Sequence, residues 1–150
     1  MKFLCIYGST NGRTRIVAQR LLKSVDIKID AVDIKGISLQ VFKTYSHIIW
    51  LVPTYGDEEL QEDIEKFIIT QKNHLHKFHY SVCECGNYSG YDAFNFGPHQ
   101  ILRSYFANLG CAEFYDGVSI DCLPKVDWET FDRWCKGLNA VIGDGKNERP

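Results

Sequence analysis

The chain has 150 residues, 45% of them hydrophobic and 24% charged, with a formal net charge of −2 at pH 7. That length fits one domain around one ordinary core, and no Lys/Arg-rich run supports nucleic-acid binding. The charge is uneven, +5 over residues 1–50 and −7 over residues 51–150, which points to a polar partner surface.

Met1-Lys2-Phe3-Leu4-Cys5-Ile6-Tyr7 is too short for a signal peptide or a membrane span and reads as a first strand over residues 2–7. A helix is predicted from about Thr14 to Leu22, burying Ile16, Val17, Leu21 and Leu22. A second strand near 27–34 alternates Ile27, Ile29, Val32 and Ile34, and a weak helical stretch follows around 38–44. Residues 47–52, His-Ile-Ile-Trp-Leu-Val, are apolar on both faces, as a central parallel strand requires. Ile64, Phe67 and Ile68 mark a helix, and a strand lies near 78–84. Ile101, Leu102, Tyr105, Phe106 and Leu109 form one stripe of a helix near 98–109, and a fifth strand falls near 113–120. The last helix aligns Trp128, Phe131, Cys135, Leu138 and Ile142, and a flexible tail is expected over residues 143–150. Five strands, each followed by a helical stretch, predict an α/β domain over residues 1–142: an open parallel sheet with helices on both faces. Ligands of such sheets bind beyond the carboxyl ends of the strands.

Three loops at those ends carry the chemistry. After the first strand comes Gly8-Ser9-Thr10-Asn11-Gly12-Arg13-Thr14. Its hydroxyls, its flexible Gly12 and the N–H groups of the following helix can wrap one phosphate, although an ordinary capped turn would read the same way. The Gly-x-x-x-x-Gly-Lys and Gly-x-Gly-x-x-Gly patterns are missing, which favours a mononucleotide. After the third strand comes Val52-Pro53-Thr54-Tyr55-Gly56-Asp57-Glu58-Glu59-Leu60-Gln61-Glu62-Asp63, and after the fourth Cys85-Gly86-Asn87-Tyr88-Ser89-Gly90-Tyr91-Asp92-Ala93-Phe94-Asn95.

In order and position these loops resemble those of the flavodoxin family, over roughly residues 1–142 and without the long insertion of its larger members. The resemblance implies a flavodoxin-like three-layer sandwich with strand order 2-1-3-4-5, FMN as the cofactor, and an electron carrier rather than an enzyme. Ser9, Thr10, Asn11, Gly12, Arg13 and Thr14 match the family's phosphate loop, with Asn11 in place of its middle Thr. Pro53, Thr54, Tyr55, Gly56 and Asp57 match the second flavin loop. There Tyr55 covers one ring face, and the Gly56-Asp57 peptide is placed to flip toward N5 when the ring takes one electron; a glycine eases such a flip. Cys85, Gly86, Asn87, Tyr88, Tyr91 and Phe94 match the third loop, with Asn87 where an acid is usual and one extra residue before Tyr91. Tyr91 is chosen for the second ring face because Phe94 follows at the family's distance; Tyr88 is the alternative.

Low-potential single-electron transfer from a flavin reductase to an acceptor redox protein follows from that resemblance. The acids of residues 57–65 (Asp57, Glu58, Glu59, Glu62, Asp63 and Glu65) then form a docking rim for a basic partner. A monomer is expected, with no metal and no membrane attachment. Six scattered cysteines, Cys5, Cys83, Cys85, Cys111, Cys122 and Cys135, read as reduced buried thiols of a cytoplasmic protein. Cys83-Glu84-Cys85 has no companion pair at zinc-like spacing. His74, His76 and His79 are expected at the surface, and His47 and His99 show no acid–base partner in the sequence. Two alternatives share the fold: a flavoprotein activator of a metal-dependent ribonucleotide reductase, faintly echoed by Gly86-Asn87, and a non-redox binding module that has lost FMN.

Overall fold

A computed structural model of the chain describes residues 2–8, 12–55, 59–86, 97–122 and 125–147. The elements in chain order are β1 (Phe3–Tyr7), α1 (Arg13–Ser24), β2 (Asp30–Asp33), α2 (Val41–Thr44), β3 (His47–Tyr55), β4 (Glu59–Leu60), α3 (Glu62–Gln71), β5 (His79–Gly86), α4 (Gly97–Asn108), β6 (Ala112–Glu113), β7 (Val118–Asp121) and α5 (Trp128–Asn147).

The main sheet is parallel, in the order β2-β1-β3-β5-β6, with β7 also paired to β5. Taking β6 and β7 as two halves of one edge strand gives the expected order 2-1-3-4-5. The predicted fifth strand is therefore interrupted at residues 114–117, and the short β4, not foreseen, runs antiparallel along the end of β3.

Side-chain alternation splits the interior into two layers. Phe3, Cys5, Ile49, Leu51 and Cys83 face α1 and α5, meeting Val17, Leu21, Phe131 and Leu138. Leu4, Ile6, Ile48, Trp50, Val52 and Val82 face the other way, onto Phe42, Ile64, Ile68, Leu102 and Phe106 of α2, α3 and α4. Residues 48–52 have no exposed surface, as a strand covered on both faces must.

One predicted core position is corrected: Ile16 is 51% exposed. The stripe of α1 that meets the sheet is Thr14, Val17, Ala18 and Leu21, whose i, i+3, i+4, i+7 spacing leaves position 16 on the outer face. Helix α5 continues beyond Ile142 to Asn147, into the stretch read as tail. Two devices fasten α1 to α5. The Arg20 guanidinium grips Asp132 with two bonds of 2.9 and 2.6 Å and lies over the Trp128 ring at 4.6 Å. Asn139 donates to the Ser24 carbonyl and accepts from the Asp26 N–H, both at 2.9 Å, fixing the end of α1. Among the described residues no helix is long and apolar enough to cross a membrane.

Candidate functional site

The register of the sheet builds a step at its carboxyl edge. Tyr7 ends β1 opposite Leu51, and Leu51 in turn pairs with Cys83. From that line β3 runs four residues further, to Tyr55, and β5 three further, to Gly86. At about 3.3 Å per residue, β3 and β5 thus stand roughly 10 Å proud of the end of β1. The three loops singled out in the sequence leave from these three adjacent strand ends.

Of the first loop, Ser9, Thr10 and Asn11 lie outside the described residues. Its flanks, Gly8 and Gly12, are described. Gly8 donates to the Leu51 carbonyl at 3.3 Å, and a Cβ there would meet Gln61 Oε1 and Ile64 Cδ1 at 2.6 and 2.8 Å. Glycine lets β1 end this close to the start of α3 without displacing those side chains. Gly12 caps α1 in the left-handed region at φ 83° and offers no side-chain acceptor, and no acid lies in the first turn. Thr14 is buried there, and Arg13 Nη1 donates to the Cys122 carbonyl at 3.1 Å. Among the described residues, the first turn at the positive end of α1 thus holds no acid. Other helix starts differ. The Gln61 side chain accepts from Ile64 N at 3.0 Å, and Asp127 accepts from Thr130 N at 3.2 Å.

In the second loop Gly56 and Asp57 lie outside the described residues, as does Glu58. Thr54 and Tyr55 pair through their backbones with Leu60 and Glu59 of β4, so the strand continues through residues read as loop. Pro53 pairs with Cys85. Within the acidic stretch, Asp63 is already engaged, accepting from Gln61 Nε2 at 3.1 Å and lying 3.7 Å from Lys35 Nζ. Glu62, Asp63 and Glu65 also occupy the first turn of α3, where acids complement the helix dipole.

In the third loop Asn87, Tyr88, Tyr91 and Phe94 lie outside the described residues, while Cys85 and Gly86 complete β5. The Cys85 side chain is buried in the α1/α5 layer, and its backbone pairs with Pro53 of β3 and Ile120 of β7. Cys83 shares that layer, and all six cysteines are free and buried. Burial pushes the Cys5 and Cys83 thiols up and holds Cys135 at about 12, so thiolates are disfavoured.

Sequence reasoning missed a buried polar network beside this loop, and one expectation is overturned. His99 does have an acid partner: its Nε2 lies 2.7 Å from Glu113 Oε2, and Arg103 Nη2 lies 3.1 Å from Glu113 Oε1. Glu84, fully buried on β5, accepts from the His99 backbone N–H at the start of α4 and from the Ser119 hydroxyl at 2.6 Å. At the break between β6 and β7 the register steps from Tyr80–Glu113 to Cys83–Val118, three residues along β5 against five along the edge, and a Cβ on Gly117 would strike the His99 ring and the Val82 carbonyl. The available signal was Glu84 itself, a lone acid inside the strand run Val82-Cys83-Glu84-Cys85.

At the opposite edge of the sheet, His47 stacks on His79 at 4.6 Å and is edged by Phe3 and Phe114. Burial, with the neighbouring His79, pushes His47 down to about 4. His74, His76 and His79 are exposed.

A family model described as flavodoxin matches residues 5–134 of the chain. NADPH oxidoreductase A of Dictyostelium discoideum is 25% identical over 153 residues, taking in 93% of this chain and 22% of that protein. The chain thus spans about a fifth of that relative's length. Among solved structures, oxidised flavodoxin 2 from Bacillus cereus superimposes with a TM-score of 0.76 at 20% identity, covering 97% of this chain and 99% of that one. The Fusobacterium nucleatum flavodoxin bound to flavin mononucleotide does so with a TM-score of 0.70 at 14% identity, covering all of both.

Proposed function

The chain belongs to the flavodoxin family, and from that premise we propose that it binds FMN and relays single electrons from a flavin reductase to an acceptor redox protein. The observation that carries the reading is the start of α1: a glycine cap at positive φ, no acid in the first turn, and Arg13 and the buried Thr14 beside it. A phosphate dianion fits that donor set, and the stepped edge beside it leaves β3 and β5 to flank a flat ring. When bound, FMN supplies the one-electron chemistry.

In this reading Ser9 to Thr14 hold the phosphate. Tyr55 and Tyr91 cover the two ring faces, with Tyr88 as the alternative for the second. Pro53, Thr54 and the Gly56-Asp57 peptide line the ring on the β3 side, and the backbone of Cys85 to Asn87, with Phe94 behind, meets its polar edge. The chain orients the ring, excludes water from its faces and leaves an edge open to a partner. The acids of residues 57–65 dock that partner, and similarity to an NADPH oxidoreductase supports an NADPH-oxidising donor. Free, buried cysteines support a reducing, cytoplasmic setting, and a monomer is our reading of the assembly.

Titration of apoprotein with FMN tests the proposal. Quenching of FMN fluorescence at one equivalent is expected, and Gly12→Val is expected to weaken binding at least tenfold, because a β-branched residue resists φ 83°. A wild-type protein that takes up no FMN contradicts the reading and leaves the non-redox binding module.

A further inference from the structure

We propose that Glu84 is a positioning residue for the flavin, latching the start of α4 beside the third loop and opposing the build-up of negative charge on the ring. The inference rests on the FMN reading. Glu84 lies two residues before the end of β5 and is fully buried. Its carboxylate ties two further elements to that strand: α4 through the His99 backbone N–H, and β7 through the Ser119 hydroxyl at 2.6 Å. The bond to His99 closes a stretch of fifteen residues, so both ends of the segment from β5 into α4 are pinned at one carboxylate.

The His99 ring is held in turn by Glu113 of β6 at 2.7 Å, and Arg103 of α4 lies 3.2 Å from it. Gly117 leaves room for the ring. Among the described residues, the charged and titratable groups around this point include His99 and Arg103 from α4, Glu113 from β6 and Tyr80 from β5; Cys83 and Cys85 of β5 lie in the opposite layer. The His99 N–H, the Ser119 hydroxyl and the positive end of α4 offset the cost of burying a charge on this carboxylate.

The charge is also close enough to matter. Glu84 pairs with Val52, and Tyr55 lies three residues further along β3, about 10 Å away. Two unit charges at that separation and an effective dielectric of about 20 shift an equilibrium on the order of tenfold.

Two substitutions separate latch from charge. Glu84→Gln keeps an acceptor for the His99 N–H and removes the charge. We expect oxidised FMN to bind within about threefold of wild type, and the second reduction potential to rise by the equivalent of tenfold, 59 mV for a one-electron couple. Glu84→Asp keeps the charge but shortens the reach. We expect wild-type potentials, at least tenfold weaker FMN binding and faster hydrogen exchange at the His99 amide. A Gln variant that binds FMN at wild-type potentials overturns the electrostatic part. An Asp variant with wild-type affinity and exchange overturns the latch, and this arm stands even where the Gln variant does not fold. Wild-type protein without FMN affinity overturns the functional reading itself, and is seen before any variant is made.

Discussion

His47 shows how one environment sets a pH response. The unfolded chain takes up its proton near 6.5, whereas the folded chain does so only near 4, because burial and His79 disfavour the cation. Between those values the unfolded state binds more protons, so stability falls on acidification through that window, by a total on the order of 3 kcal/mol at 1.36 per unit. Urea melts at pH 7 and pH 4.5 check this, and His47→Phe is expected to flatten the difference. The thiols give a second expectation at this scale. All six cysteines are buried and free, so a thiol reagent is expected to find none in the native state and six after denaturation. Burial of the cysteines was legible in their apolar contexts. The partner of His99 was not, because Glu113 comes near it only through the pairing of β6 with β5.

At the scale of elements, the α1/α5 seam and the divided edge strand make separate predictions. Asn139→Ala removes two bonds that close the end of α1, at a cost of about 1–2 kcal/mol in chemical denaturation. Gly117→Ala places a methyl against the His99 ring and a backbone carbonyl, which is expected to cost about 1–3 kcal/mol by overpacking. Periodicity located every long element, since β3 and α5 carry unbroken apolar patterns. It did not locate β4 or the interruption at 114–117. β4 is two residues long and defined by its pairing with Thr54 and Tyr55. The interruption is a register step of two extra residues against β5, a property of strand pairing without local pattern.

For the molecule as a whole, strand order and the edge that carries the loops were readable from three motifs and an alternation of strands and helices. The roughly 10 Å step at that edge was not, because it depends on inter-strand register rather than on strand length. Charge is a whole-molecule property as well. The acids near residues 57–65 predict that electron transfer to a basic partner slows as ionic strength rises. Part of that run serves α3 and Lys35 instead, so the slope is expected to be shallower than the count of acids suggests. Stopped-flow rates at low and high salt give that slope. The central claim, a one-electron FMN carrier, is met most directly by anaerobic reductive titration of the FMN-loaded protein. The account predicts that a one-electron reduced flavin accumulates, seen as long-wavelength absorbance that grows and then decays; direct bleaching in a single two-electron step would contradict it.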